Sequence, residues 1–219
     1  MNALELVSYV KANVKDDSFD DAHILALLNE ALLKVSYELC LPDLQAREDM
    51  TFDFGDDPFT ALPDDCYHDL WHAENISSPW RDVRVHTSVH SLQRMYPRDD
   101  EFGDIRDAAI DGMVLHVRPA PDPGQTLRVW YYRRPELLTL DENSEPEAIL
   151  PHMHAPVIAY YAIAKIYDEI EDGVDGNKTN ANNWDAKWQR DGFLALSAMQ
   201  GVKRSARATP YVRRHPRWF

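Results

Sequence analysis

The stretch IRDAAIDGMVLHVRPAPDPGQTLRVWYYRR, from Ile105 to Arg134, decides the fold. Met113, Leu115 and Val117 alternate with Val114, His116 and Arg118. Leu127, Val129 and Tyr131 alternate with Arg128, Trp130 and Tyr132. A period of two marks half-buried β-strands. Asp111-Gly112 links the first run to a weaker one, Arg106 to Ile110, and this pair supplies the positive φ of a type I′ hairpin. Pro119 to Gly124 (PAPDPG) turns the chain a second time, because proline fixes φ and glycine permits the left-handed region. The pattern predicts a three-stranded antiparallel meander. Its apolar face, Met113, Leu115, Val117, Leu127, Val129 and Tyr131, needs a cover that flanking helices would provide.

Helical spacing surrounds this centre. Ala3 to Val14 places Leu4, Val7, Val10 and Val14 on one side. After Lys15-Asp16-Asp17, Ser18 and Asp21 have the form of a capping box. The helix it opens, about 19–39, buries Ile24, Leu28, Ala31, Leu32, Val35 and Leu39 and ends before Pro42. Met50–Phe54 and Phe59–Leu62 read as short strands around a turn at 55–58, and Val83 and Val85 mark another. Asp64–Asn75 has some helical spacing (Tyr67, Leu70, Trp71). Ser88–Tyr96 reads as a short helix capped by Ser88 or Thr87.

Pro151 opens a third long helix, about 152–172. Ile158, Tyr161, Ile163, Ile166, Tyr167 and Ile170 make it apolar around much of its girth, hence central to a core. Its last turn holds Asp168, Glu169, Glu171 and Asp172, which oppose the helix dipole; they read as a solvated end or as a dock for a basic partner. A fourth helix, about 181–200, aligns Trp184, Trp188, Ala195 and Met199, with Phe193 and Leu196 beside them. Gly192 inside it costs about 1 kcal/mol relative to alanine, which points to a close approach or a bend, and Gly201 suits a helix terminator. The fold class is therefore α+β. A mainly helical body of about four helices spans 1–202, with a β-rich insertion at about 50–134. An extended basic tail follows at 203–219.

Composition bounds the function. The chain has 219 residues, 44% hydrophobic and 11% aromatic, as a folded protein does. No apolar run approaches the ~18 residues of a membrane span, and the N-terminus lacks the pattern of a signal peptide. Cys40 and Cys66 form no disulfide framework and fit a reducing compartment. The formal net charge is −14, yet residues 203–219 carry six cations and no acid, which leaves −20 on the remaining 202. A body this acidic repels phosphate and argues against general nucleic-acid binding.

Motifs of catalysis are weak. His68-Asp69-Leu70-Trp71-His72 copies the i, i+4 histidine spacing of a zincin helix, but with Asp for Glu and no third ligand at a recognisable spacing. His86 and His90 straddle a strand–helix junction, and His152 and His154 sit at a helix start. Lys178-Thr179 lacks the glycine and strand of a phosphate loop. No catalytic residue, metal site or cofactor is assigned. The tail, KRSARATPYVRRHPRWF, is the best candidate for function. Lys203, Arg204, Arg207, Tyr211, Arg213, Arg214, Arg217, Trp218 and Phe219 combine cations with aromatic anchors that suit a groove on another chain.

The order of elements resembles the head-to-tail adaptor (connector) proteins of tailed bacteriophages. The resemblance covers roughly residues 1–200. It rests on the N-terminal helical pair, ALPDD (Ala61–Asp65), LHVRPAPDPGQTLRVWYYRRPELL (Leu115–Leu138), ILPHMHAPVIAYYAIAKIYDE (Ile149–Glu169) and the Trp-bearing last helix. The chain departs from the usual family pattern in its long segment between Gln45 and Asp104. The resemblance implies a non-enzymatic virion protein at the phage neck, assembled in the host cytoplasm. Such proteins form a ring, commonly of about twelve copies, by heterologous contacts that close. The ring joins portal to tail or nozzle and continues the channel for double-stranded DNA ejection, without reading sequence. The tail residues named above would then bind portal. Two alternatives stand beside this reading: a peptidoglycan or metal-dependent hydrolase using His68 and His72, and another neck or tail-completion protein.

Overall fold

A computed structural model describes residues 1–16, 18–52, 57–67, 70–77, 81–98, 101–141, 143–144, 155–171 and 178–198. In chain order these form α1 (Ala3–Val14), α2 (Asp21–Glu38), β1 (Gln45–Phe52), β2 (Phe59–Ala61), β3 (His72–Asn75), β4 (Arg81–His86), α3 (Val89–Met95), β5 (Phe102–Gly103), β6 (Asp107–Asp111), β7 (Val114–Arg118), β8 (Ala120–Pro121), β9 (Gln125–Tyr132), α4 (Pro156–Glu171) and α5 (Thr179–Lys187). The chain divides into two units. One holds Met1–Leu41 and Glu136–Phe219; the other is Pro42–Pro135. The fold is α+β, with five α-helices among the described residues.

The β-unit departs from the predicted meander. β6 and β7 do form an antiparallel hairpin, with Asp111 opposite Val114. Only Gly112 in its loop has positive φ (62°). The glycine is the first of the two central residues, so the Asp-Gly pair is not the type I′ centre. β7 and β9 are not neighbours. The seven-stranded order is β1-β9-β3-β4-β6-β7-β2, antiparallel except between β4 and β6. The reason lies in Pro119, Pro121 and Pro123, which offer no N–H for a tight ladder. Ala120–Pro121 pairs instead with Phe102–Gly103, and Gly124 (φ 80°) releases the chain toward β1 and β3.

Although distant in the strand order, β7 and β9 share one core. Leu115 and Val117 pack with Leu127, Val129, Tyr131, Phe52, Leu62, Leu70, Ala73, Val83, Ile105 and Ala108. The sheet therefore curls over its own apolar face, and this supplies the cover expected from helices. Met113 is the exception at 50% exposed, because it sits in the hairpin loop. The helical spacing seen over Asp64–Asn75 misleads: the described part pairs as strand, with Cys66 bridging Arg133 and β3 running from His72. Ser88 caps α3 as predicted, accepting from the Ser91 N–H.

In the helical unit Asn2 and Glu5 form a capping box on α1. Leu6 is buried where Leu4 was expected. The cap of α2 is Asp20, not Ser18: Asp20 Oδ1 accepts from His23 N at 2.7 Å, while Ser18 N donates to Asp16. The predicted stripe, Ile24 through Leu39, is buried. α4 packs against α1, α2 and α5, the central role its girth implied. Asn29 on α2 clasps the backbone of Leu138 twice, at 3.0 and 2.7 Å.

The acids ending α4 are used within the unit. Asp168 pairs with Lys178 at 2.7 Å, Glu169 lies 3.3 Å from His23, and Glu171 accepts from the N–H groups of Asn180 and Ala181. No side chain of Lys178 caps α5, so Glu171 satisfies its first donors and its charge complements that helix's positive end. Beyond α5 the helix widens into a π-helical turn, Trp188–Phe193. The close approach predicted at Gly192 is there. A Cβ at that position would stand 2.5 Å from Val157 Cγ1 on α4.

Candidate interaction surface

Period-two geometry sorts the side chains of the β-unit into a buried set and an outward set. On β9, Leu127, Val129 and Tyr131 go inward. Arg128 and Trp130 go outward, because each alternates with a buried neighbour. Register then aligns rows across the sheet. Arg47, Trp130 and His72 share one row, and Asp49, Arg128 and Glu74 the next.

The first row is aromatic. His72 lies 4.9 Å from Trp130 and 5.9 Å from Trp71, whose ring is nearly parallel to it. Trp71 is 48% exposed. The second row is charged. Arg128 forks onto Asp49, Nε to Oδ1 at 2.7 Å and Nη2 to Oδ2 at 2.8 Å. That hydrogen bonding holds the Asp49 carboxyl below its ordinary pKa. The same guanidinium lies 6.0 Å from the Trp130 ring. The exposed Trp71 and the fixed Arg128 both adjoin Trp130, a composition found at protein-binding hot spots.

Asp107 organises α3, β4 and β6. Its side chain is fully buried and meets three donors: Tyr96 Oη at 2.6 Å, His86 Nε2 at 2.7 Å and Arg84 Nε at 2.9 Å. Burial raises the carboxyl's pKa, but the hydrogen bonds from Tyr96, His86 and Arg84 together outweigh it and hold the pKa below normal. The Tyr96 phenol is pushed up to about 12, by burial first and then by the adjoining carboxylate. The hub fixes α3 to the sheet.

The structure treats the sequence-predicted residues unequally. The tail residues Lys203, Arg204, Arg207, Tyr211, Arg213, Arg214, Arg217, Trp218 and Phe219 lie outside the described residues, as do His68, His152, His154 and Gly201. His72 is on a strand, not a helix, so the helical i, i+4 arrangement with His68 does not stand. His86 joins the Asp107 hub while His90 lies on α3. Lys178 is engaged with Asp168 and precedes α5. The Trp71–Trp130 pair and the Asp107 hub were missed. The outward position of Trp130 was readable from alternation; the strand order that puts His72 and Trp71 beside it was not.

The family model of the SU10 adaptor protein matches residues 1–214, both units and the tail as far as Arg214. The chain belongs to the SU10 adaptor family. This is a family of phage head–tail adaptors, so the protein is a bacteriophage structural adaptor that works with other phage structural proteins in virion assembly. The curated proteins include no match to it. Among the described residues, no helix of this SU10 adaptor is long and apolar enough to cross a membrane.

Proposed function

We propose that this SU10 adaptor forms a closed ring at the virion neck, joins portal to the tail or nozzle, and continues the DNA channel. The observation that carries the reading is the family match over 1–214, which includes most of the basic tail. Charge distribution supports it. The acidic residues 1–202 disfavour adhesion of DNA phosphates to a channel wall. Lys203, Arg204, Arg207, Arg213, Arg214 and Arg217, with Tyr211, Trp218 and Phe219, supply cations and anchors for portal. The body is 1–202 and the docking element 203–219.

A heterologous ring needs two different patches per subunit. The helical unit exposes Tyr37 and Leu194, and the β-unit exposes Phe59, Trp71, Phe102 and Met113. Apolar groups of this size support contacts with other chains.

Mass photometry of the purified chain, alone and mixed with the portal of the same virion, tests the reading. A large closed assembly in either sample is expected. Deleting 203–219 should leave a folded body that no longer binds portal. Portal binding by the truncated chain would overturn the role of the tail, and a monomer indifferent to portal would overturn the ring.

A further inference from the structure

We infer that His72, Glu74 and Asp82 form a divalent-cation site on the outward face of the β-unit. The inference rests on register and does not depend on the proposed ring. His72 and Glu74 are i and i+2 on β3, so they project from one face. Asp82 on β4 stands directly opposite Glu74. The pairing puts two carboxylates side by side across the strands, within reach of one ion. Arg128, opposite Glu74 on β9, directs two of its donors at Asp49.

The imidazole is presented for coordination. The indoles of Trp71 and Trp130 both adjoin the His72 ring, and its Nε2 lies 2.9 Å from Glu74 Oε1. The ligand atoms of His72, Glu74 and Asp82 all lie within 4.8 Å of one another. A tetrahedral ion with bonds of about 2.1 Å spaces its ligands about 3.4 Å apart, so side-chain adjustment alone brings the three together. Glu74 is only 14% exposed and His72 34%, which removes part of the water that competes for the ion.

One nitrogen and two carboxylate oxygens suit zinc, nickel or copper better than magnesium or calcium, and leave positions open to water. The location gives the ion a role. β3 and β4 pair over only three residues, Ala73 to Asn75 against Val83 to Arg81. This seam joins the β1-β9-β3 half of the sheet to the β4-β6-β7-β2 half. An ion bound to both strands staples that seam.

The test uses the full chain, treated with chelator and then dialysed. Zinc chloride and nickel chloride are titrated by calorimetry, and nickel quenching of tryptophan emission is followed in parallel. One saturable site is expected, with quenching, because two indoles adjoin the imidazole. Asp82→Asn, on an exposed strand position, tests the site without disturbing the core; His72→Ala and Glu74→Gln complete the set. Each should weaken binding by more than about tenfold, a loss that outer-shell changes alone can reach. Absence of saturable binding, or equal affinity and quenching in Asp82→Asn and wild type, would overturn the site.

Discussion

Gly192→Ala sets two effects of opposite sign against each other. Alanine is favoured over glycine within a helix by about 1 kcal/mol, so propensity alone predicts a gain. The structure predicts a loss. The new methyl would stand 2.5 Å from Val157 Cγ1 and 3.1 Å from Cγ2, where carbon atoms prefer about 3.5–4.0 Å. Val157 is 3% exposed on α4, and a β-branched residue in a helix has one favoured rotamer, so it cannot swing aside. Overpacking costs about 1–3 kcal/mol. The upper half of that range applies here, and the net expectation is a loss of about 1–2 kcal/mol. For a chain of this size that lowers the thermal midpoint by about 2–4 °C per kcal/mol. Helical circular dichroism is the assay, since most of the α-helix lies in this unit. Val157→Ala alone should cost about 2 kcal/mol. Combined with Gly192→Ala it should cost less than the sum by at least about 1 kcal/mol, because the methyl then fits the vacated space. A Gly192→Ala protein as stable as wild type, with additive costs in the double variant, would refute the reasoning.

Replacing Asp107 by alanine should cost about 2–4 kcal/mol in urea denaturation followed by tryptophan fluorescence, since Tyr96 and His86 lose a charged acceptor; the exposed Arg84 adds little. Because the folded carboxyl titrates below its unfolded value, its contribution is present above pH ~3.9 and lost as pH falls through the folded pKa, so the gap between wild type and variant should close in acid titration. Asn29→Leu removes both bonds to Leu138 at similar volume and should cost about 1–3 kcal/mol by thermal melting. Trp71→Ala should leave the thermal midpoint within about 2 °C yet weaken association with phage structural partners measured by surface plasmon resonance; unchanged association would exclude this face as a contact.

Legibility tracked the range of the interactions. The helices were readable because their stripes are local: Ile24 through Leu39 on α2 and Ile158 through Ile166 on α4 are buried as spacing implied. The Gly192 contact was readable because glycine is costly unless something crowds it. The strand order was not readable. Alternation tells which side chains face inward but is silent on neighbours, and three prolines that read as a reversal instead carry the chain from β7 to pair with β1 and β3. For the same reason the His72–Glu74–Asp82 and Asp107 groups stayed hidden, since each is assembled across strands. The acids of α4 are half exposed, as a solvated end implies, but their partners, His23 and the start of α5, lie outside their own helix and were not readable.

β1 and β9, the first and last strands of the β-unit, are zipped together from Gln45–Tyr132 to Phe52–Gln125, and Arg133 N donates to Leu44 O at 2.8 Å. The polypeptide therefore enters and leaves this unit through one pair of adjacent strands. A segment with its ends so joined can be exchanged as a cassette, because any replacement needs only to offer two neighbouring strand ends at the same spacing. Recombination between phages at Pro42 and Pro135 would swap a whole surface while leaving the helical framework's own contacts intact.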